Sequence, residues 1–373
     1  MEGGACTLVF NVGSSSFKWA LVDRDDRNVD EGHEPALTAS REQNRARLVA
    51  LAGKLEARAS LAGIGHRVVH GGPSLSRSTR IDDAVRAALG AVVSLDPLHA
   101  RSALEIIDLG REVFDVEHVA VFDTQFHATL PPDARAYALP TELCERFGVR
   151  KYGFHGISVA YAVGRVAELL GRTPERLVVA HLGSGASITA VQGGASIDTT
   201  MGLTPLDGLT MATRPGALDP GVLLHLLRAG LSVDELARVL DRESGLRGMS
   251  GTSGDLREVR RAIAAGDARA RLAYAQLVRS WRRSCGAMIG SLGGLDALVF
   301  TGGVGEHDAQ FRADAVGALG FLGLELDERR NLASGPEDGV VSTPSSRGVV
   351  LVVASREEVE IAREVRRVLC NPK

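Results

Sequence analysis

The sequence predicts an α/β protein built from two related halves. Strand-like and helix-like segments alternate along the chain, which is the pattern of α/β folds. The chain has 373 residues, more than one ordinary core holds, so two domains are expected. The third observation is a weak internal repeat: "LVFNVGSSSFKWALV" (8–22) and "VVAHLGSGASITAV" (178–191) share a strand, a turn of small residues and a second strand. A repeat at this separation favours duplicated halves over a short-period solenoid, although unrelated hairpins with small turns also look somewhat alike.

Apolar periodicity predicts the elements in chain order. Strand patterns surround the small-residue turns of 7–23 and 176–194, and others occur in 63–72, in 118–127 ending at Asp123, in 296–307 running into a glycine loop, and at the start of 349–369. Helical spacing occurs in 41–62, 82–93, 100–112, 156–170, 219–229, 232–241, most of 255–292 and the end of 349–369.

Composition excludes several classes of function. Net charge is −3 without a basic block, and aromatic residues are few, so we expect no nucleic-acid surface. No apolar run approaches the roughly 18 residues that span a bilayer, and no signal peptide is recognisable, so we expect no membrane association. The four cysteines are far apart and form no CxxC pair, which argues against structural zinc or disulfides and fits a reducing cytoplasm.

Lysine is scarce in this chain. Only Lys18, Lys54, Lys151 and Lys373 occur, and arginine supplies the rest of the 43 basic residues. A lysine at a particular place is therefore informative, whereas a single arginine is weak evidence.

Three turns of small residues follow apolar strands: Gly13–Ser16, Gly183–Ser187 and Gly302–Gly305. Such turns let main-chain N–H groups approach an anion, and serine hydroxyls add donors. None of them is a Walker A loop or a GxGxxG motif. One such turn is commonly an ordinary tight turn, but three of them favour a phosphate-binding cleft.

Four places in the sequence suggest what meets the phosphate. Arg67 lies in "GHRVVHGG", Phe154 and His155 in "YGFHG", and Arg214 in a loop bounded by Gly and Pro. Asp123 ends a strand, where loops of α/β folds build their sites. Without further context, the arginines also fit the general arginine background, and His155 also fits a hydrogen-bonded core residue.

Taken together, the motifs resemble those of the acetokinase family, the acetate and propionate kinases. The resemblance covers nearly the whole chain in order, through "NVGSSSFK", "GHRVVHGG", "LDPLH", "VFDTQFH", "KYGFHG", "HLGSGAS", "DTTMGLTPLDGLTMATRPG", "SGLRGMSG", "DALVFTGGVGE" and "SREEVEIARE". It implies a duplicated actin-like, sugar-kinase-like (ribonuclease H-like) α/β fold of two domains, with the nucleotide in an interdomain cleft. The implied domains are 1–124 plus 358–373, with a returning C-terminal helix, and a nucleotide-binding domain over 125–357.

The resemblance implies reversible transfer of the ATP γ-phosphoryl group to acetate, which gives acetyl phosphate and ADP. A carboxylate must then attack a polyanion, and like charges about 4 Å apart repel by roughly 4 kcal/mol at an effective dielectric constant near 20. Cations are needed around both reactants. By resemblance, Arg67 binds the substrate carboxylate, while Arg214 and His155 stabilise the phosphoryl group in flight.

The remaining roles also follow from the resemblance. Lys18 contacts ATP phosphate, and Asn11 and Glu357 place Mg²⁺, for which Mn²⁺ can substitute, directly or through water. The nucleotide is lined by His181, Leu182, Gly183, Ser184, Gly185, Asp255, Leu256, Arg257, Gly303, Val304, Gly305, Glu306 and His307.

The family assigns Asp123 to proton transfer. Acetate is already ionised at pH 7, so orienting an arginine or a metal-bound water is the physically more reasonable role. The family's apolar pocket for the methyl group maps to Val69, Leu98, Phe154 and Pro205. One methylene is worth only about 1–3 kcal/mol in such a pocket, so propionate is expected as a slower substrate.

Several residues depart from the family pattern, above all Ser184, which replaces an asparagine. Altered nucleotide affinity or donor preference is the expected consequence. A propionate or butyrate kinase and a non-catalytic actin-like nucleotide switch remain as alternatives. The resemblance also implies a homodimer.

Overall fold

The computed structural model describes residues 5–13, 16–38, 40–56, 58–92, 97–333 and 338–370. The chain divides into two compact units. The first contains Met1–Ala128, Gly156–Tyr161 and Arg356–Lys373, and the second contains Thr129–His155 and Ala162–Ser355. This division describes compactness and not independent folding, so the domains proposed from the sequence stay a prediction.

The first unit contains a six-stranded mixed sheet. Its strands are β1 (Cys6–Val12), β2 (Ser16–Val22), β3 (Asn28–Pro35), β4 (Leu61–Val68), β5 (Thr79–Arg80) and β6 (His118–Phe122). Their order in the sheet is β3-β2-β1-β4-β6-β5. Strands β1, β4 and β6 are parallel, whereas β1–β2, β2–β3 and β5–β6 are antiparallel pairs.

The second unit contains a sheet of the same design. Its strands are β7 (Arg176–Leu182), β8 (Ala186–Gln192), β9 (Ala195–Thr199), β10 (Ala297–Thr301), β11 (Gly339–Val340) and β12 (Val349–Val352). The order β11-β12-β10-β7-β8-β9 is the first order read in reverse, with the same parallel and antiparallel pairs. The predicted α/β class and the predicted duplication are therefore confirmed.

The register of the two hairpins identifies equivalent positions. Asn11 pairs with Lys18 across β1 and β2, and His181 pairs with Ser187 across β7 and β8. Each pair stands one step before the turn. Ser187 thus occupies in the second hairpin the position that Lys18 occupies in the first.

Helices cover these sheets. They are α1 (Arg41–Glu56), α2 (Asp83–Ala91), α3 (Pro97–Val113), α4 (Pro132–Arg135), α5 (Thr141–Phe147), α6 (Gly156–Leu170), α7 (Pro220–Arg228), α8 (Val233–Arg238), α9 (Gly245–Ser250), α10 (Leu256–Ala264), α11 (Ala268–Leu292), α12 (Gly302–His307), α13 (Ala309–Gly317), α14 (Glu328–Ala333) and α15 (Glu357–Cys370). No helix in the described ranges has the length and apolar character that crossing a membrane requires.

Alternating side chains of β1 supply two cores. Leu8 and Phe10 pack with α1 and α3 on one face of the sheet. Val9 lies in a second buried cluster with Ile361 and Val365 of α15, as the two-residue period of a strand requires. Both faces of the first sheet are thus covered, which explains why β1 is apolar at nearly every position.

Some elements differ from the sequence-based prediction. Strands β3, β5, β9 and β11 and helices α4, α5, α9, α13 and α14 were not predicted, since most of them are short and β3 is largely polar. The helical pattern over 255–292 is two helices, since Gly266 takes a positive φ of 90° and Asp267 caps the second one. The predicted glycine loop after β10 is the short helix α12.

Candidate active site

In the first unit, four of the predicted site residues lie at one edge of the sheet. Asn11 is the penultimate residue of β1, Arg67 is the penultimate residue of β4, and Asp123 directly follows β6. The carboxyl ends of parallel strands meet at the same edge, so these side chains converge. Glu357, the first residue of α15, joins them there.

Hydrogen bonds connect these four side chains into one network. Arg67 donates from Nε to Asp123 Oδ1 at 3.1 Å and from Nη2 to Asp123 Oδ2, a bidentate pair. Its Nη1 donates to Asn11 Oδ1 at 3.1 Å. Asn11 Nδ2 lies 3.3 Å from Glu357 Oε2, and Arg67 Nε lies 3.7 Å from that same oxygen. The guanidinium plane is therefore fixed by partners on three elements.

Asp123 is the buried member of this network. Its side chain is 2% exposed, against 18% for Arg67. The main chain is held as well, because Asp123 N donates to Val68 O at 3.0 Å and Gly156 N donates to Asp123 O at 2.7 Å. A Cβ at Gly156 would stand 2.3 Å from that carbonyl oxygen, so only glycine permits this approach.

Lys18 lies on the same edge of the first unit. It is exposed in β2 and lines a cavity of about 510 Å³ with Asn11, Glu31 and Glu358. Burial first, and then the charges of Glu357 and Glu31, raise the pKa of Glu358. Serines 14 and 15 of the predicted phosphate turn lie outside the described residues, as does the side chain of residue 16.

The donor set of Asn11 and Glu357 fits Mg²⁺ in part. Amide and carboxylate oxygens are the ligands that this ion prefers, and it usually binds through one or two carboxylates together with water and phosphate. Asn11 Oδ1, however, already accepts a hydrogen bond from Arg67. No group of three or more His, Cys, Asp or Glu residues suited to a metal occurs among the described residues. The pair therefore suits a metal that arrives with phosphate ligands better than a resident ion.

The second unit holds a separate cluster around the turn between β7 and β8. His155 and His181 stack with ring centroids 4.2 Å apart, and His155 Nδ1 lies 2.9 Å from Ser187 Oγ. A Cβ placed on Gly185 would stand 3.5 Å from His155 Nε2 and 3.7 Å from Arg214 Nη2. The two predicted charge-stabilising residues thus flank the same small-residue turn.

His155 has an unusual backbone. Its φ of 58° is in the left-handed region, one of two such non-glycine residues in the described ranges. Residues other than glycine adopt this backbone region at some cost in energy, and such residues recur at functional sites. The conformation lets the chain turn into α6 immediately after the histidine.

Arg214 is held by its own loop. Nη1 donates to Pro205 O at 2.9 Å, and Nε lies 3.7 Å from Asp241 Oδ1. The loop is tied to the β7–β8 turn, because Ala212 N donates to Ser184 O at 3.2 Å. The Arg214 side chain is 21% exposed, so it is only partly buried.

A cavity of about 830 Å³ lies next to this turn, within the second unit. Nine of the thirteen residues predicted to line the nucleotide do line this cavity: Leu182, Gly183, Ser184, Asp255, Leu256, Arg257, Gly303, Val304 and His307. The cavity wall does not include His181, Gly185, Gly305 and Glu306. A volume of this size suits a drug-sized or nucleotide-sized ligand.

Two of the residues outside the wall have other contacts. His181 stacks on His155, as described above. Glu306 accepts a hydrogen bond from Ser355 N at 2.9 Å, and its carbonyl oxygen binds the buried guanidinium of Arg312. These contacts fix helix α12, whose Gly303 and Val304 reach the cavity.

Asp255 begins helix α10 at the cavity wall. Its Oδ1 accepts from Arg257 N at 2.8 Å as an N-cap, and its carboxylate also pairs with the Arg257 guanidinium. The guanidinium hydrogen bond is the main reason why the pKa of Asp255 falls to about 2. This carboxylate therefore stays ionised at every pH at which the protein is used.

Two residues of the predicted acyl pocket belong to each unit. In the first unit, Val69 is partly exposed, and Leu98 lies in the first turn of α3 with its side chain outside the described residues. In the second unit, Phe154 is buried and Pro205 is partly exposed. The proposed roles of these residues stay predictions.

Sequence reasoning missed several residues at these sites. Asp241, a partner of Arg214, lies in no motif, and Ser187, a partner of His155, lies in the predicted turn Gly183–Ser187 but received no role of its own. The repeat points to Ser187, since it stands opposite His181 as Lys18 stands opposite Asn11. Other cavity-lining side chains have no sequence signal, including Arg260, Asp308 and Gln310.

Known proteins resemble this chain over nearly its full length. Acetate kinase of Leifsonia xyli subsp. xyli is 45% identical over 96% of this chain and 98% of the relative. Acetate kinase of Deinococcus deserti is 44% identical, covering 97% and 98%. The family model of the acetokinases matches residues 28–363.

Solved structures agree with this assignment. Porphyromonas gingivalis acetate kinase has a TM-score of 0.89 at 34% identity, covering 98% of this chain and all of that one. A propionate kinase of Francisella tularensis subsp. tularensis has a TM-score of 0.89 at 35% identity, covering 96% and 98%. A ROK hexokinase of Thermus thermophilus has a TM-score of 0.51 at 14% identity and covers 98% and 100%, which confirms the sugar-kinase-like fold alone. By sequence and by structure, the chain belongs to the acetokinase family.

Proposed function

We propose that this protein transfers the γ-phosphoryl group of ATP to acetate, reversibly, giving acetyl phosphate and ADP. The observation that carries the proposal is the Arg67 network, because a guanidinium held in one plane is suited to a planar carboxylate. The acetate kinases among the relatives support the choice of acid.

In this proposal Arg67 binds the acetate carboxylate and compensates its charge. Asp123 fixes the orientation of Arg67 from its buried side and does not remove a proton, since acetate carries none to remove at neutral pH. The bidentate contact supports this positioning role.

Arg214 and His155 stabilise the charge of the transferring group. The Arg214 side chain is partly exposed, and Pro205 O and Asp241 hold its guanidinium. A hydroxyl proton donated by Ser187 to Nδ1 of His155 selects the tautomer with its proton on Nε2, the nitrogen that points toward the Gly185 turn. Donors held in advance need little reorganisation when charge develops.

ATP occupies the cavity of the second unit, and Lys18 contacts its phosphates. Asn11 and Glu357 would supply oxygen ligands to Mg²⁺ or Mn²⁺ bound with the nucleotide, and the ion would neutralise phosphate charge. The remaining predicted nucleotide contacts are assigned to the nine residues of the cavity wall.

The test is trapping of the acyl phosphate as a hydroxamate, with acetate, ATP and hydroxylamine. We expect turnover in the natural protein and a fall of at least about 100-fold in Arg67→Ala and in Arg214→Ala, each with an unchanged melting temperature. Arg24→Ala, an exposed arginine outside the site, is the control and retains full activity. Normal turnover in either site variant would refute the assigned roles.

A propionate kinase is the second candidate. The Francisella propionate kinase is as similar in structure as the Porphyromonas acetate kinase. Comparison of kcat/KM for two-, three- and four-carbon acids separates these possibilities. A preference for butyrate would contradict Val69 and Phe154 as the wall of a small pocket. Absence of an acyl phosphate with every acid, alongside nucleotide binding, would favour a non-catalytic switch.

Three further expectations belong to this proposal. We expect a homodimer, which light scattering of the purified protein tests. We expect a cytoplasmic location, which fractionation of cells tests. We expect domains of 1–124 plus 358–373 and 125–357, which limited proteolysis tests through the positions of the first cuts.

A further inference from the structure

We propose that Gln310 selects adenine nucleotides as phosphoryl donors by accepting a hydrogen bond from the 6-amino group of the base. This inference rests on the proposed function, because it takes the cavity of the second unit as the nucleotide site. The sequence motifs assign no residue of the cavity wall to recognition of the base, and Gln310 takes this role.

The cavity offers suitable surroundings for a flat base. Its apolar side chains include Leu182, Leu256, Leu277, Val304 and Phe311. Gln310 lines the same cavity from the first turn of α13. Ligand pockets of this kind combine apolar walls with a few polar groups that fix orientation, and Gln310 is such a group.

The direction of the Gln310 amide is determined by its neighbour. Nε2 donates to Asp314 Oδ1 at 3.0 Å. The NH₂ end of the amide therefore faces Asp314, and the carbonyl end faces away from it. Among the described residues, Oε1 of Gln310 has no hydrogen-bond partner and remains available as an acceptor.

A chain of hydrogen bonds keeps Asp314 in place. The Tyr274 hydroxyl donates to Asp314 Oδ2, and Arg260 Nη2 donates to that hydroxyl at 3.2 Å. Arg260 Nη1 in turn lies 2.8 Å from Oδ1 of Asp308. Burial first, and the Asp314 hydrogen bond second, raise the pKa of Tyr274, so its hydroxyl stays a donor. These contacts hold Asp314, and through it the exposed side chain of Gln310, which leaves Oε1 as an acceptor at the cavity wall.

An acceptor at this place discriminates between purines. Adenine carries an amino donor at position 6, whereas guanine and hypoxanthine carry a carbonyl acceptor there. The 6-carbonyl oxygen of guanine or hypoxanthine would face Oε1 of Gln310. Two hydrogen-bond acceptors would then oppose each other, and neither would have a donor. One neutral hydrogen bond of this kind gives a preference of about 10-fold for the 6-amino base.

Calorimetric titration of the full chain with nucleoside diphosphates, without acetate, tests the proposal apart from turnover. ADP, IDP and purine riboside diphosphate, which lacks any 6-substituent, are the probes. The natural protein is expected to bind ADP about 10-fold more tightly than either of the others. Gln310→Met keeps the length of the side chain but removes the acceptor, so the ADP preference over purine riboside diphosphate is expected to disappear. Gln192→Met, at an exposed glutamine at the end of β8, is the control and keeps that preference.

A second variant tests the orientation of the amide. In Asp314→Asn the amide oxygen can keep the Tyr274 hydrogen bond while the new NH₂ donates to Oε1 of Gln310, so Gln310 turns its own NH₂ toward the base. IDP is then expected to gain affinity relative to ADP, an outcome that loss of packing alone does not produce. An unchanged ADP preference in Gln310→Met would overturn the inference, as would failure of all three probes to bind the natural protein. Selective ADP binding without acyl phosphate formation would leave the inference standing and refute the proposed function.

Discussion

Replacement of Asp123 by asparagine separates a positioning role from a role as a base. The carboxylate accepts two hydrogen bonds from Arg67, of which the Nε bond is 3.1 Å long. Hydrogen bonds that involve a charged group contribute about 1.5–3 kcal/mol each. Asn keeps one acceptor and turns an NH₂ group toward the guanidinium, so about one such bond is lost. The expected result is a fall of roughly 10- to 150-fold in kcat/KM for acetate.

The assay is hydroxamate formation at varied acetate and varied pH. If Asp123 only positions Arg67, the loss appears mainly as a raised KM for acetate, and the shape of the pH profile is unchanged. Disappearance of an acidic limb from the profile in Asp123→Asn, with kcat reduced and the KM for acetate unchanged, would refute the reasoning and restore Asp123 as a base.

The chain offers a matched control for this substitution. Arg86 and Asp108 form the same bidentate arrangement between α2 and α3, with Nε–Oδ1 at 2.6 Å and Nη2–Oδ2 at 2.8 Å. Asp108→Asn removes one hydrogen bond of the same type from a pair that lies outside the site. It is expected to reduce stability slightly and to leave kcat/KM for acetate unchanged.

Three further predictions follow from single contacts. Burial lowers the pKa of His66 and of His118, the latter from 6.5 to about 4, so the unfolded chain binds more protons between these values. The free energy of unfolding should therefore fall by about 1.4 kcal/mol per pH unit for each of the two histidines, about 2.7 kcal/mol per unit together, as pH drops from 6.5 to 4, and His118→Gln should roughly halve this dependence in urea titrations. Ser187→Ala removes the partner of His155 Nδ1 and should lower kcat about 10-fold while ADP affinity stays constant, whereas a lower affinity would contradict the tautomer argument. Gly156→Ala forces a Cβ to 2.3 Å from the carbonyl oxygen at the end of β6 and should lower the melting temperature by several degrees, so an unchanged value would contradict the close approach.

The sequence predicted the parts of the fold that carry strong periodicity. Strands β1, β4, β6, β7 and β10 are buried at most positions and consist mainly of apolar residues, and such runs are easy to recognise. Strand β3 was missed, since this outer strand is largely polar and carries charged residues such as Glu31 on its exposed positions. The break between α10 and α11 was missed because only Gly266 marks it within a long helical pattern.

For the candidate site, the sequence identified individual residues but not the contacts between them. Motifs identified Arg67, His155 and Arg214, and acetate chemistry suggested that Asp123 orients an arginine. No pattern in the chain, however, shows that this arginine is Arg67, which lies 56 positions away in the sequence. Likewise, Ser187 becomes meaningful only when the register of β7 and β8 places it beside the histidines. Contacts between distant segments depend on the packing of sheets and helices, and a single sequence does not specify them locally.

The central claim is tested most directly by ³¹P nuclear magnetic resonance of the protein with ATP, Mg²⁺ and acetate. An acetyl phosphate signal is expected to grow in equal amount with ADP. This signal requires acetate and is lost in Arg67→Ala. Release of inorganic phosphate from ATP at the same rate with and without acetate, with no acyl phosphate signal, would contradict the central claim.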